Sequence, residues 1–324
     1  MPDITLVEAV TQALAYELRN DENVVVFGED VGLNGGVFRA TAGLQAEFGS
    51  KRVFDSPLAE SMIAGLAIGM SLQGLKPVAE FQFMGFIYPA MNQIISHAAR
   101  FRNRTRGRLN CPLVFRAPFG GGIRAPEHHS ESTEALFAHI PGLQVVIPSS
   151  PKRAYGLLLA AMRNPDPVIF LEPKRIYRLV KQPVADDGLA LPLGKCFTLK
   201  TGDDVTLVTW GASTHETMQA AQQLIDEGLS PEVIDVATIK PLDIETILSS
   251  VEKTGRCVII HEGARTCGVG AEISAQIMEH CFDVLEAPVQ RVTGYDVVMP
   301  YFQLEKHYIP SVSRIKDSVM SIME

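Results

Sequence analysis

Glu60 stands at the head of an almost wholly apolar segment, in the run Phe54-Asp55-Ser56-Pro57-Leu58-Ala59-Glu60-Ser61. Ser56 as a cap and Pro57 as the first helical residue predict a helix over 57–73. Met62 to Gly69 leaves that helix almost no polar face, and a helix apolar all round is buried. A carboxylate at its mouth is then partly desolvated, which raises its pKa and suits it to exchange a proton with a buried ligand near neutrality. The same glutamate could instead complement the helix dipole and do no chemistry. Glu29 is a second candidate acid, because Val26-Phe27-Gly28-Glu29-Asp30 places a carboxylate pair just after an expected strand. The carboxyl ends of parallel strands are where α/β sheets bind ligands, although acidic turns there are also commonly just solvated.

Aromatic residues crowd the stretch Phe81-Gln82-Phe83-Met84-Gly85-Phe86-Ile87-Tyr88. A ring at a strand end could stack on a flat heterocycle; core packing is the alternative. Next comes Phe119-Gly120-Gly121-Gly122-Ile123-Arg124-Ala125-Pro126-Glu127-His128-His129-Ser130. It lacks the Gly-Lys-Ser/Thr ending of a phosphate loop, and its histidines have no further ligand at metal-site spacing. Proton transfer or substrate contact beside a mobile lid suits it better. No nucleophile elbow occurs, and Gly268-x-Gly270 lacks the rest of a dinucleotide fingerprint. The alternating Arg100, Arg102, Arg104, Arg106 and Arg108 read as interface salt bridges or a solvated helix end.

These residues need a scaffold that gathers strand ends. Buried strands are expected at 24–27, 78–81, 113–116, 145–147 and 168–171, with helices around 57–73, 89–103, 131–138 and 151–163. A capping box, Thr5-x-x-Glu8, starts an amino-terminal helix. Such alternation implies α/β architecture with largely parallel sheets. Periodicity fades from about Val180 to Asp204, and a second α/β unit follows: strands at 205–209, 232–236, 257–261 and 290–292, with helices from Ser213, Ile244 and Gly270. The division falls near residue 190, giving domains 1–190 and 191–324.

The chain has 324 residues, 46% of them hydrophobic, enough for two cores. Its net charge of −8 argues against nucleic acid as the main partner. A mean hydropathy of +0.12 implies that part of the surface is covered by something other than water. Five scattered cysteines form no CxxC pair, which fits free thiols in a reducing compartment. No apolar run is long enough to span a bilayer, so a cytoplasmic protein is expected.

Taken together, FGEDVG, FDSPLAE, AEFQFMGF, the triple-glycine loop with HHS, and PGLQVVIPSSP resemble one family over essentially the whole chain. It is the beta subunit of the thiamine-diphosphate-dependent decarboxylase of 2-oxo acid dehydrogenase complexes. The resemblance implies a pyrimidine-binding domain, then a transketolase C-terminal-type domain. It further implies an assembly of two alpha and two beta chains, with the cofactor between them. Alpha would hold the diphosphate and Mg2+, beta the pyrimidine half. By motif, Glu60 would bond the aminopyrimidine ring nitrogen and Phe86 stack on the ring, with Glu29 and Gln82 beside the cofactor. His129, the histidine before Ser130, would serve substrate and lipoyl transfer, with His128 set aside. A family potassium site would map onto Leu113, Ala161, Met162, Asn164 and Asp166, mostly through backbone oxygens. The implied reaction is oxidative decarboxylation of pyruvate with acylation of a lipoyl group on the acyltransferase. A branched-chain or acetoin enzyme, or a non-catalytic assembly subunit, are the alternatives.

Overall fold

The computed structural model describes residues 3–324. Its strands, in chain order, are β1 (Asp3–Thr5), β2 (Val24–Gly28), β3 (Val53–Asp55), β4 (Lys76–Glu80), β5 (Val114–Phe119), β6 (Gln144–Val146) and β7 (Val168–Pro173). Then come β8 (Lys181–Pro183), β9 (Phe197–Lys200), β10 (Val205–Thr209), β11 (Pro231–Asp235), β12 (Thr238–Lys240), β13 (Cys257–Ile260) and β14 (Gln290–Val292). β1 and β8 form a small antiparallel pair, and the two large sheets have the orders β12-β6-β7-β5-β4-β2-β3 and β14-β13-β10-β11-β9. Both are parallel except for β12 and β9, which run antiparallel on their neighbours β6 and β11. All residues of β2, β5 and β7 are buried, as expected of central strands covered on both faces.

Helices Leu6–Asn20 and Pro151–Arg163 cover one face of the first sheet, and their Leu6, Val10, Leu14, Leu157 and Leu158 join a core with Val24, Val26 and Phe170. Thr5 caps the first of them through the expected box, its hydroxyl taking the Glu8 N–H while its own N–H donates to the Glu8 carboxylate at 2.7 Å. The other face shares a continuous apolar core with the second sheet. Phe27, Ala79, Phe115 and Ile169 belong to one cluster with Trp210, Val208, Ile234 and Ile259. Among the described residues no helix is long and apolar enough to cross a membrane.

Several expectations need correction. The helix foreseen from Pro57 starts at Glu60 with Ala59 as its cap residue, and the Ser56 hydroxyl caps nothing. The Ser56 N–H instead donates to Gly28 O at 2.9 Å. Nor is this helix buried all round: Ile63, Ala64, Ala67 and Ile68 face the core, while Met62 and Leu66 are 41% and 37% exposed. The helix expected over 89–103 is broken at His97, whose φ of −121° and ψ of −69° leave the helical region. Arg104 donates to Ser96 O at 2.6 Å, satisfying a carbonyl freed by that break. The helix foreseen over 131–138 spans only Glu134–Ala138. Strands β1, β3, β8, β9 and β12, and the helices Leu44–Phe48, Glu305–Tyr308 and Val312–Met323, were not foreseen in the sequence.

Candidate active site

Four adjacent strands, β5, β4, β2 and β3, end at the same edge of the first sheet. Glu29 follows β2, Glu60 lies beyond β3, Gln82 and Phe86 follow β4, and His129 lies beyond β5. A parallel sheet therefore carries residues 100 positions apart to one edge. The Ser56-to-Gly28 bond holds the segment leading to Glu60 against the residue preceding Glu29.

Glu60 is the first residue of its helix and half-buried. Its neighbour Ser61 donates to Pro89 O, tying the helix start to the turn after β4. Burial, then the charges of Asp30 and Glu60, hold the Glu29 carboxyl above its usual range. The Glu60 charge thus reaches the Glu29 carboxyl. Gln82 is directed onto Asp30, its amide 3.4 Å from the carboxylate, and Asn34 donates to the same carboxylate at 3.0 Å.

The two histidines separate clearly. His129 packs edge-on against Phe83 and Phe86, with ring centroids 4.6 and 5.1 Å away, and Phe83 meets Phe86 at 5.3 Å. His128 is exposed, its Nδ1 3.7 Å from the Glu131 carboxylate and its ring 6.1 Å from Tyr88. Gly85 makes this contact possible, because a Cβ there would run into the backbone oxygen of His128. The glycine-rich segment, expected to be a flexible loop beside a mobile lid, is tied down. Glu262 accepts the Gly121 N–H, and Glu305 accepts those of Gly122 at 2.6 Å and Arg124 at 3.2 Å.

Beneath the site lies a charge network that the sequence reading missed. Arg116 is fully buried on β5, pairing with Glu80 of β4 and bidentately with Glu172 of β7 at 2.7 and 2.8 Å. Tyr177 donates to Glu172 at 2.5 Å. Burial pushes the Glu80 carboxyl up although Arg116 opposes it. Removing one partner of such a group typically costs about 3–5 kcal/mol, because the others stay buried and uncompensated. The signal available in the sequence was a charge inside each of three apolar strand segments.

Comparison with known proteins gives the arrangement a family. Residues 3–180 match the transketolase pyrimidine binding domain and residues 194–315 the transketolase C-terminal domain. The pyruvate dehydrogenase E1 component subunit beta of Acholeplasma laidlawii is 51% identical over 315 residues, covering 97% of this chain and 96% of that one. The same subunit of Bacillus subtilis (strain 168) is 48% identical over 324 residues, the full length of both. The chain belongs to the pyruvate dehydrogenase E1 beta-subunit family. A solved structure described as a split gene transketolase, inactive beta4 tetramer, superposes with a TM-score of 0.81 at 25% identity, covering 99% of both chains.

Pyruvate dehydrogenase E1 beta chains are thus transketolase-like, and the residues carried over by motif lie at the strand ends of the pyrimidine-binding half. The candidate potassium residues lie elsewhere, toward the opposite, amino-terminal ends of β5 and β7: Leu113 precedes β5, Ala161 and Met162 end the helix Pro151–Arg163, and Asn164 and Asp166 lead from it into β7. Leu113 O accepts the Val168 N–H at 3.0 Å, and Ala161 O the Asn164 N–H at 3.2 Å. The Asn164 side chain accepts from Asp166 N at 2.9 Å, while Arg102 holds the Asp166 carboxylate at 2.6 Å. Of the alternating arginines, Arg102 thus forms an ion pair within the chain.

Proposed function

We propose that this chain is the catalytic beta subunit of a pyruvate-decarboxylating enzyme and contributes the pyrimidine half of a thiamine diphosphate site completed by an alpha chain. The observation that carries this reading is that Glu60, Glu29 and the Phe83–Phe86–His129 cluster all follow four adjacent strands of one parallel sheet. The residues suit the group: an aminopyrimidine offers a ring nitrogen for a carboxyl and a flat face for an aromatic ring. Glu60 would hold the proton at that ring nitrogen, and Phe86 would lie against the ring. Thiamine diphosphate, when bound, supplies the electron sink that makes loss of carbon dioxide from a 2-oxo acid possible.

The protein's own work is to orient, to exclude water and to hold protons. Glu29, whose carboxyl is held above its usual range by burial and by the charges of Asp30 and Glu60, lies beside Glu60 at the cofactor edge. His129, in van der Waals contact with two rings, stands where a lipoyl arm of the acyltransferase would enter, and serves there as acid or base. Mg2+ belongs to the alpha half in this reading, and the assembly is two alpha with two beta chains. A potassium ion would be held by the second lone pairs of the Leu113 and Ala161 carbonyls with Met162, Asn164 and Asp166. The two halves of the chain divide near residue 190.

Glu60→Gln, assembled with its alpha partner, tests the reading. The variant should assemble normally and lose at least about 100-fold in 2-oxo acid decarboxylation, the scale expected when a positioned proton donor is removed. Activity within a few-fold of the parent would refute it. Ranking pyruvate against branched 2-oxo acids in the parent complex then fixes the substrate.

A further inference from the structure

Three charged side chains outside the strand-end cluster direct their charges onto backbone rather than solvent. Lys174, Glu262 and Glu305 are 4%, 6% and 5% exposed. Lys174, just after β7, donates from Nζ to Gly120 O and lies 5.9 Å from the centre of the Phe83 ring. Glu262, just after β13, accepts from Gly121 N and from Ser132 Oγ, the latter at 3.0 Å. Glu305, the first residue of the helix Glu305–Tyr308, accepts from Gly122 N and Arg124 N. Arg175 closes the group, paired with Glu216 and 3.8 Å from Glu262.

The segment Gly120–Arg124 is thus gripped from both halves of the chain, one carbonyl and three N–H groups each meeting a charge. Charge-assisted hydrogen bonds of this kind are short and directional. Gly122, at φ +88°, is required: a Cβ there would run into the Arg175 side chain. Burying these charges is costly, and apolar residues would seal the same seam at less cost. Desolvation takes the Lys174 ammonium down to about 8. What the charges add is a fixed backbone position. Five residues beyond Arg124 stands His129, packed on the same Phe83 ring that the Lys174 ammonium approaches.

We propose that Lys174, Glu262 and Glu305 are positioning residues that lock Gly120–Arg124 across the seam between the two halves, and so fix the histidine loop for acyl transfer. This rests on the reading of His129 above and deepens it, giving the second half of the chain a part in the transfer step.

The test uses the assembled enzyme with its alpha chain and a lipoyl domain. Glu305→Ala should lower kcat for lipoyl acylation at least tenfold. KM for the 2-oxo acid, and decarboxylation with an artificial electron acceptor, should stay within threefold. Glu305→Gln, whose amide oxygen can accept both N–H groups, should recover acylation to within threefold of the parent. Trypsin should cut after the exposed Arg124 at least fivefold faster in Glu305→Ala. Acylation within twofold of the parent in Glu305→Ala overturns the proposal, and so does equal loss of both activities. If Glu305→Ala does not assemble, Lys174→Gln removes the anchor on the other side and is read by the same criteria. His129→Ala measured in parallel separates the two ideas. Transfer lost in Glu305→Ala but kept in His129→Ala upholds the lock and defeats the histidine assignment.

Discussion

Glu134 shows how a single carboxyl reports on the seam between the halves. It is 2% exposed, accepts from the Trp210 indole at 3.2 Å, and has no partner for its second oxygen. Burial pushes its pKa from 4.5 to about 7. A carboxyl raised in the folded state binds its proton there when the unfolded chain has released it, so stability falls as pH rises from 4.5 through about 7. Glu134→Gln mimics the protonated form. The variant complex should melt above the parent at pH 8, by an amount on the order of 2–3 kcal/mol, and level with it at pH 4.5. An offset equal at both pH values would contradict this account. At this scale the sequence disclosed the groups that stand at element boundaries, Glu60, Glu29 and His129. It did not disclose Lys174, Glu262 or Glu305, because their partners are backbone atoms 54 to 183 residues away. Arg116 was visible as a charge in an apolar strand, but its partners on β4 and β7 follow only from strand order.

Among the elements, the buried parallel strands were legible because both of their faces are covered, leaving unbroken apolar runs such as Val24–Gly28. Short strands were not: the three residues of β12 carry no period, and they pair outside their own half of the chain. The helix Val312–Met323 did carry a signal, with Ser311 accepting from Arg314 N and with Ile315, Val319 and Ile322 buried on one face. The helix Glu60–Leu72 teaches the opposite lesson. Its sequence has almost no polar face, yet this chain covers only one side of it. Met62 and Leu66 leave an apolar side uncovered next to the candidate site, the kind of surface a partner chain would cover. Leu66→Asp should leave the isolated chain folded and lower its assembly with the alpha chain at least tenfold by sedimentation. Unchanged assembly would place the interface elsewhere.

On the scale of the whole molecule, two α/β halves are joined by one apolar core, by β12 extending the first sheet, and by carboxylates reaching across to the glycine segment. The single tryptophan, Trp210, lies within that core and stacks on His261 at 4.8 Å, so its fluorescence follows both halves at once. A further apolar stretch leads directly into Glu305: Tyr295, Val297, Val298, Tyr301, Phe302 and Leu304 are 50–71% exposed. A partner covering it would stiffen the lock on the histidine loop. The alternation of strands and helices revealed both halves in the sequence, whereas their joining depends on contacts that no local pattern encodes. If this chain holds one half of a shared cofactor site, calorimetry with thiamine diphosphate and Mg2+ will show it. The chain alone should bind at least 100-fold more weakly than the complex with its alpha partner, and Glu60→Gln should weaken binding by the complex. Equally tight binding by the chain alone would contradict the claim.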